Sequence, residues 1–343
     1  MEDERVNGEI RILVTIPRSL YRRVSRIEDE CKLRSFADEV IFNPYDRNLS
    51  EDEFAELISG IDGCITSWGS PRFTERVLER ADRLKIIGHA AGSVKPYVTD
   101  EVFKRGIVVV NAASVIGVGV AEFTLAMMLN CLRAIPQHIE AMRVRNWRYK
   151  DERPIRTYDL RGKTVGLVGF GFVARELAKL LKPFDVRILV YDPYVSVDEV
   201  EEYGAEKTDL DRLLSLSDIV SLHAASTSET YHMIGEREFK LMKPNAVLIN
   251  TARGALIDEE ALIEALKTER IAWAVLDVFE KEPLPEDSPL YDLDNVFLTP
   301  HIAGLSDERR NMLFGIIVED FIRFFSGEKP LNIVDYNRLR FLA

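Results

Sequence analysis

Thr164-Val-Gly-Leu-Val-Gly-Phe-Gly-Phe-Val-Ala174 is the stretch on which the fold turns. Its first half is β-branched and aliphatic, as a strand covered on both faces requires. Gly169-x-Gly171-x-x-Ala174 follows, and then the helical pattern Arg175 to Leu181. Gly169 suits a tight strand-to-helix turn, Gly171 lets the backbone approach a pyrophosphate, and Ala174 is small enough for the helix to pack on its sheet. Phosphates would then lie at the helix N-terminus, beside Phe172 and Val173, facing free N–H groups and the positive end of the dipole. A second strand, Arg187 to Tyr191, ends at Asp192. A carboxylate there accepts from ribose hydroxyls and repels a 2′-phosphate, which favours NAD over NADP. Asp192 also precedes Pro193, where an Asp serves equally as a turn former.

Outward from this stretch, the chain alternates short apolar runs with helical patterns. After it come strand candidates Ile219 to Leu222, Ala246 to Asn250, Ile271 to Leu276 and Val296 to Leu298, with helices at Asp258 to Lys267 and at about Ser306 to Phe325. Before it come Ile10 to Ile16, Gly63 to Thr66, Lys85 to His89 and Ile107 to Asn111, with Ser50 and Glu53 spaced as a capping box. Such alternation predicts parallel, covered sheets in two similar α/β halves. The polar segment Arg145 to Arg161 lacks a period and reads as a surface excursion.

The 343 residues leave room for two domains, and 46% hydrophobic content is enough for sizeable cores. With 45 basic and 57 acidic residues the net charge is −12, which argues against nucleic acid or an anionic membrane surface as the main partner. Cys31, Cys64 and Cys131 form no CxxC pair, so no metal site is expected. Met1 to Gly8 is polar and acidic, unlike a signal peptide, and a cytoplasmic setting is the default expectation. The apolar run Val115 to Leu132 contains Glu122 and Asn130 and is expected to be a buried helix.

Three later segments carry chemistry. They are Asn250-Thr-Ala-Arg-Gly254, Leu276-Asp-Val-Phe-Glu-Lys-Glu-Pro283 and Thr299-Pro-His-Ile-Ala-Gly304. With the glycine stretch and Leu222-His-x-x-x-Thr-x-Glu-Thr230, and in this order, they resemble the D-isomer-specific 2-hydroxyacid dehydrogenases from about Lys85 to Gly304. The resemblance implies an NAD-dependent interconversion of 2-oxo and D-2-hydroxy acids by Arg253, Glu282 and His301. Arg253 would grip the substrate carboxylate and carbonyl with its planar guanidinium. His301 would be the acid–base group, and Glu282 would hold it and favour its imidazolium form. Glu280, two residues earlier, competes with Glu282 for that role. The resemblance also implies cofactor contacts from His223, Ala224, Thr230, Thr251 and Gly304, and places Asp277 against the nicotinamide carboxamide. Asp277 is otherwise a turn or helix cap.

The chain departs from the family at its carboxylate loop. In place of Gly-x-Gly and an acidic pair it reads His89-Ala-Ala-Gly-Ser-Val-Lys-Pro96, where Gly92 and Ser93 are the expected source of N–H groups for the carboxylate. Lys95 reads as a solvated charge or a contact to a further anionic or hydroxyl group. Ala225 replaces a usual proline, and Trp273 replaces a usual small residue. By resemblance, the fold is two Rossmann-like doubly wound domains. An NAD-binding domain, residues 113–298, would be inserted into a flavodoxin-like substrate domain, residues 1–112 and 299–343, with the catalytic groups in the cleft between them. The helix starting near Ser114 is a candidate connector and homodimer contact. A different class, an NAD(H)-sensing regulatory or scaffold protein of the same fold, would have no need for Arg253, Glu282 and His301 together. An amino-acid dehydrogenase would rely on a catalytic Lys or Asp instead.

Overall fold

The structure, a computed structural model, describes residues 9–148, 157–304 and 306–336. The chain divides into two compact units. One holds the residues up to Ile116 together with those after Gly304, and the other is Gly117–Gly304. Part of the polar segment Arg145 to Arg161, and all of Met1 to Gly8, lie outside the described residues.

In the first unit, five strands are parallel: β1 (Arg11–Val14), β2 (Glu39–Phe42), β3 (Gly63–Thr66), β4 (Ile86–His89) and β5 (Val108–Asn111). Their order, β2-β1-β3-β4-β5, is the flavodoxin-like one. The central strands are buried end to end, so both faces must be covered. Phe54, Phe73 and Val77 pack on one face, and Phe314, Ile317 and Phe321 of the closing helix Asp307–Phe325 pack on the other. Ser50 accepts from Glu53 N and Glu53 answers on Ser50 N, completing the capping box read from the sequence. The strand β2 was not anticipated.

The second unit carries seven parallel strands: β6 (Thr164–Val168), β7 (Arg187–Tyr191), β8 (Glu206–Lys207), β9 (Ile219–Leu222), β10 (Val247–Asn250), β11 (Trp273–Leu276) and β12 (Val296–Leu298). The order β12-β11-β10-β9-β6-β7-β8 is the dinucleotide-binding arrangement with one strand added, and it reverses between β6 and β9. Ala174, Leu177 and Leu181 bury one face of the helix Phe172–Leu181 against this sheet. Trp273 begins β11 and stacks flat on Phe297, with centroids 5.2 Å apart, half-buried at the strand-start end of the sheet.

The units divide after Ile116 and Gly304, a few residues beyond the expected 112 and 298. The second shift has a visible cause, because the loop carrying His301 is hydrogen-bonded to Asp277 and stays with the second unit. The apolar run forms the helix Ala113–Leu132, but only 44% of its most apolar window is buried. Finally, a further helix, Ile135–Arg143, opens the region before the polar excursion.

Candidate active site

In an open parallel sheet, ligands bind beyond the carboxyl ends of the strands where the strand order reverses. In the second unit that point lies between β6 and β9, and the predicted loops meet there. Gly169 has φ +89°, and a Cβ on it would come within 2.6 Å of Ala224 N. Only glycine satisfies both the left-handed backbone and that approach. Gly171 caps the helix Phe172–Leu181 without any side-chain cap, and a Cβ there would meet nothing within 4 Å. The helix thus presents uncapped N–H groups to open space, which fits a pyrophosphate. Phe172 is half-exposed, and its ring lies over Gly117, where a Cβ would be 2.6 Å from it.

Asp192 follows β7 and is held in place by its neighbours. Oδ2 accepts from Phe170 N at 2.7 Å and Oδ1 from Tyr194 N at 2.8 Å. The carboxylate therefore serves both as a turn former and as an anchor for the glycine loop, while each oxygen keeps a lone pair for a ribose hydroxyl. After β9, His223 N donates to Val168 O and its ring bonds Ser221 Oγ at 2.9 Å. Burial pushes the His223 imidazole down to about 4, so it is neutral at pH 7. Thr230 Oγ1 donates to Ala225 O and accepts from Thr227 N, which ties the loop that lacks its proline. Thr251 is buried beside Thr124 at the end of β10.

The proposed catalytic trio is brought together by β10, β11 and β12. Asn250, the last residue of β10, donates to Arg253 O and accepts from Ala252 N, so the turn presenting Arg253 is closed on itself. Gly254 then passes so close to the next loop that a Cβ would sit 1.9 Å from Phe279 C and 2.0 Å from Phe279 O. That backbone-on-backbone contact joins the arginine turn to the segment carrying Glu282. Burial lowers the Arg253 pKa from its usual value, and the Glu282 charge offsets only part of that.

Glu282 Oε2 lies 2.8 Å from His301 Nδ1, and its other oxygen accepts from Phe279 N at 3.2 Å. A carboxylate accepts only, so Nδ1 carries the proton and Nε2 is the nitrogen left for a substrate. Glu280, the competing carboxylate, pairs instead with His232. His301 is half-exposed and has φ +54°, in the left-handed region that β-carbon residues seldom enter.

Asp277 accounts for that conformation. It is 1% exposed; Oδ1 accepts from Thr299 Oγ1 at 2.6 Å and Ile302 N at 2.8 Å, and Oδ2 from Ala303 N at 2.8 Å. His301 N also donates to Asp277 O. Its carboxylate holds the His301 loop, which runs on to a half-buried Gly304, and Oδ2 keeps a lone pair for a further donor.

In the first unit, Gly92 and Ser93 lie half-buried in the loop after β4, and Gly92 O accepts from Asn111 Nδ2 at 2.7 Å. His89 is buried against Tyr97, with Nδ1 2.9 Å from Thr66 Oγ1. Thr66 Oγ1 donates to Gly88 O, so His89 donates to Thr66 and its Nε2 is a buried acceptor without a hydrogen-bond partner among the described residues. Among those residues no cluster of His, Cys, Asp or Glu could hold a metal ion.

Comparison with known proteins identifies the family. The D-isomer specific 2-hydroxyacid dehydrogenase NAD binding domain matches residues 125–303, nearly all of the second unit. A glyoxylate reductase from Thermococcus litoralis is 40% identical over 82% of this chain and 85% of its own length. A D-3-phosphoglycerate dehydrogenase from Methanocaldococcus jannaschii is 38% identical over 84% of this chain, which spans only 54% of that relative. The crystal structure of D-lactate dehydrogenase with NAD+ from Lactobacillus jensenii superposes with a TM-score of 0.78 at 27% identity, covering 95% of this chain and 100% of that one.

Proposed function

Because the chain belongs to the D-isomer specific 2-hydroxyacid dehydrogenases and carries their NAD-binding domain, we propose that it reduces a 2-oxo acid to the D-2-hydroxy acid, and catalyses the reverse, with Arg253, Glu282 and His301 as its catalytic residues. The observation that carries the reading is the 2.8 Å bond from His301 Nδ1 to Glu282. It orients the ring, fixes which nitrogen faces substrate, and favours the protonated form needed to give up a proton. NADH, when bound, supplies the hydride for the carbonyl carbon.

The residues of this chain do the rest. Arg253 binds the substrate carboxylate and carbonyl oxygen, where charge builds during reduction, so its fixed cation acts most strongly in the transition state. His301 delivers the proton from Nε2 to that oxygen and takes it back in the oxidative direction. Gly169, Gly171, Phe172, Val173 and Asp192 hold the pyrophosphate and ribose, with His223, Ala224, Thr230, Thr251 and Gly304 lining the cofactor. Gly92 and Ser93 offer N–H groups to the substrate carboxylate.

The test is His301→Ala. Turnover is expected to fall about 10²-fold or more, while the NADH dissociation constant stays within about twofold, since the ring reaches substrate rather than cofactor. Parallel loss of NADH binding would make His301 a cofactor or folding residue. The assembly proposed with this activity is a homodimer. Its support is the half-covered helix Ala113–Leu132 and the exposed apolar residues after it, Ile139, Met142, Val144 and Trp147.

A further inference from the structure

A cavity of about 520 Å³ opens beside the proposed acid–base pair, wholly within the second unit, and nothing in the chemistry above uses it. Its size is that of a small-molecule site. Carbon dominates its wall: Phe279, Pro283, Leu284, Tyr291, Leu298 and Pro300 surround it, and Glu282, Thr299 and His301 complete it. The Glu282 carboxylate and the Thr299 hydroxyl are already engaged. Glu282 accepts from His301 Nδ1 and Phe279 N, and Thr299 Oγ1 donates to Asp277. Neither Lys nor Arg lines the cavity among the described residues.

That composition selects its occupant. A phosphate or second carboxylate would lose its water, face the Glu282 charge and find no Lys or Arg in the wall. Glyoxylate has no carbon beyond its carbonyl and would leave the space empty. A hydrocarbon group loses no hydrogen bonds on entering and gains by leaving water. The wall is shared with His301, so a group occupying it lies beside the imidazole proposed to transfer the proton.

We propose that this cavity receives the side chain of the substrate, and that the enzyme's preferred substrates are 2-oxo acids with a branched aliphatic or aromatic side chain. The inference rests on the dehydrogenase reading and narrows its substrate class. The reaction is unchanged: the carbonyl carbon receives the hydride of NADH, the C=O π pair moves to oxygen and takes the proton from His301 Nε2, and NAD+ is the oxidised product.

The experiment is a steady-state comparison on the full chain with NADH, using phenylpyruvate, 4-methyl-2-oxopentanoate, glyoxylate and 3-phosphohydroxypyruvate. Values of kcat/KM for the first two are expected to exceed those for the last two by about 10²-fold, as burial of several carbon groups predicts. Leu284→Trp, which fills the cavity, is expected to lower the ratio of phenylpyruvate to glyoxylate kcat/KM at least about tenfold. Its fold is checked by circular dichroism, and the wild-type comparison stands without it. Glyoxylate or the phosphorylated acid reduced as well as the apolar pair overturns the substrate assignment and leaves the dehydrogenase reading intact. So does an unchanged ratio in a folded Leu284→Trp. Reduction of none of the four defeats both.

Discussion

Gly254 shows how much of the site can hang on one missing carbon. A methyl group there would overlap the Phe279 carbonyl carbon at 1.9 Å and Glu280 N at 2.3 Å. Both are backbone atoms, so the loop carrying Glu282 would have to move as a body. Gly254→Ala is expected to cost about 2–4 kcal/mol, seen as a lower urea midpoint at an unchanged slope. It is also expected to reduce kcat about 10-fold to 10²-fold, because the carboxylate would no longer meet the imidazole squarely. A variant as stable and active as the parent would mean that the two turns are not tightly coupled. The residue scale was also the most legible one. Gly169 and Ala174 could be picked out because the strand-to-helix turn restricts the residue type, whereas Arg253, Glu282 and His301 are proposed from the motifs that carry them. Asp277 could be located by its place at a strand end, whereas its partners lie in a loop two dozen residues on and show only in the folded chain.

Strands and helices were legible where a single periodicity governs a whole element. The buried runs that became β3, β4, β6, β9 and β10 were read from the sequence because both faces of a parallel sheet demand apolar residues. The edge strands β2 and β8 were not. Glu39–Phe42 is exposed or half-buried throughout, and Glu206–Lys207 is a charged pair; each is a strand because β1 or β7 offers it an open edge. Strand ends also govern behaviour in acid. Burial depresses His89, which ends β4, to about 3, and His223, which follows β9, to about 4. Unfolded, both titrate near 6.5. Below that value the unfolded chain binds protons that the folded chain refuses, so stability is intact above about pH 6.5 and falls as the pH drops towards about 4. Each histidine contributes a slope of about 1.4 kcal/mol per pH unit over that window. Urea titrations between pH 7 and 5 check this, and His89→Asn is expected to flatten the slope by about one proton. An identical slope in that variant would mean that His89 already titrates normally when folded.

For the molecule as a whole, the sequence implied two α/β units with one inserted in the other along the chain, and the two sheet orders agree with that reading. What it could not supply was the exterior. A run of apolar residues reads as buried, yet the helix Ala113–Leu132 is only partly covered, and Val144 and Trp147 are 69% and 80% exposed. The proposed homodimer would cover this surface, and no intrachain pattern records such a contact. Light scattering is expected to give a mass of about twice 39.1 kDa, and Ile139→Asp with Met142→Asp to give the monomer. A monomeric parent chain at micromolar concentration would reject the dimer.

The positive φ of His301 sets a conflict within a single position. The backbone there would be most comfortable with glycine, whereas the proposed proton transfer needs an imidazole. Selection for heat tolerance alone would therefore drift towards an inert enzyme at this site, and the buried Asp277 is the device that lets the chain tolerate the less comfortable residue.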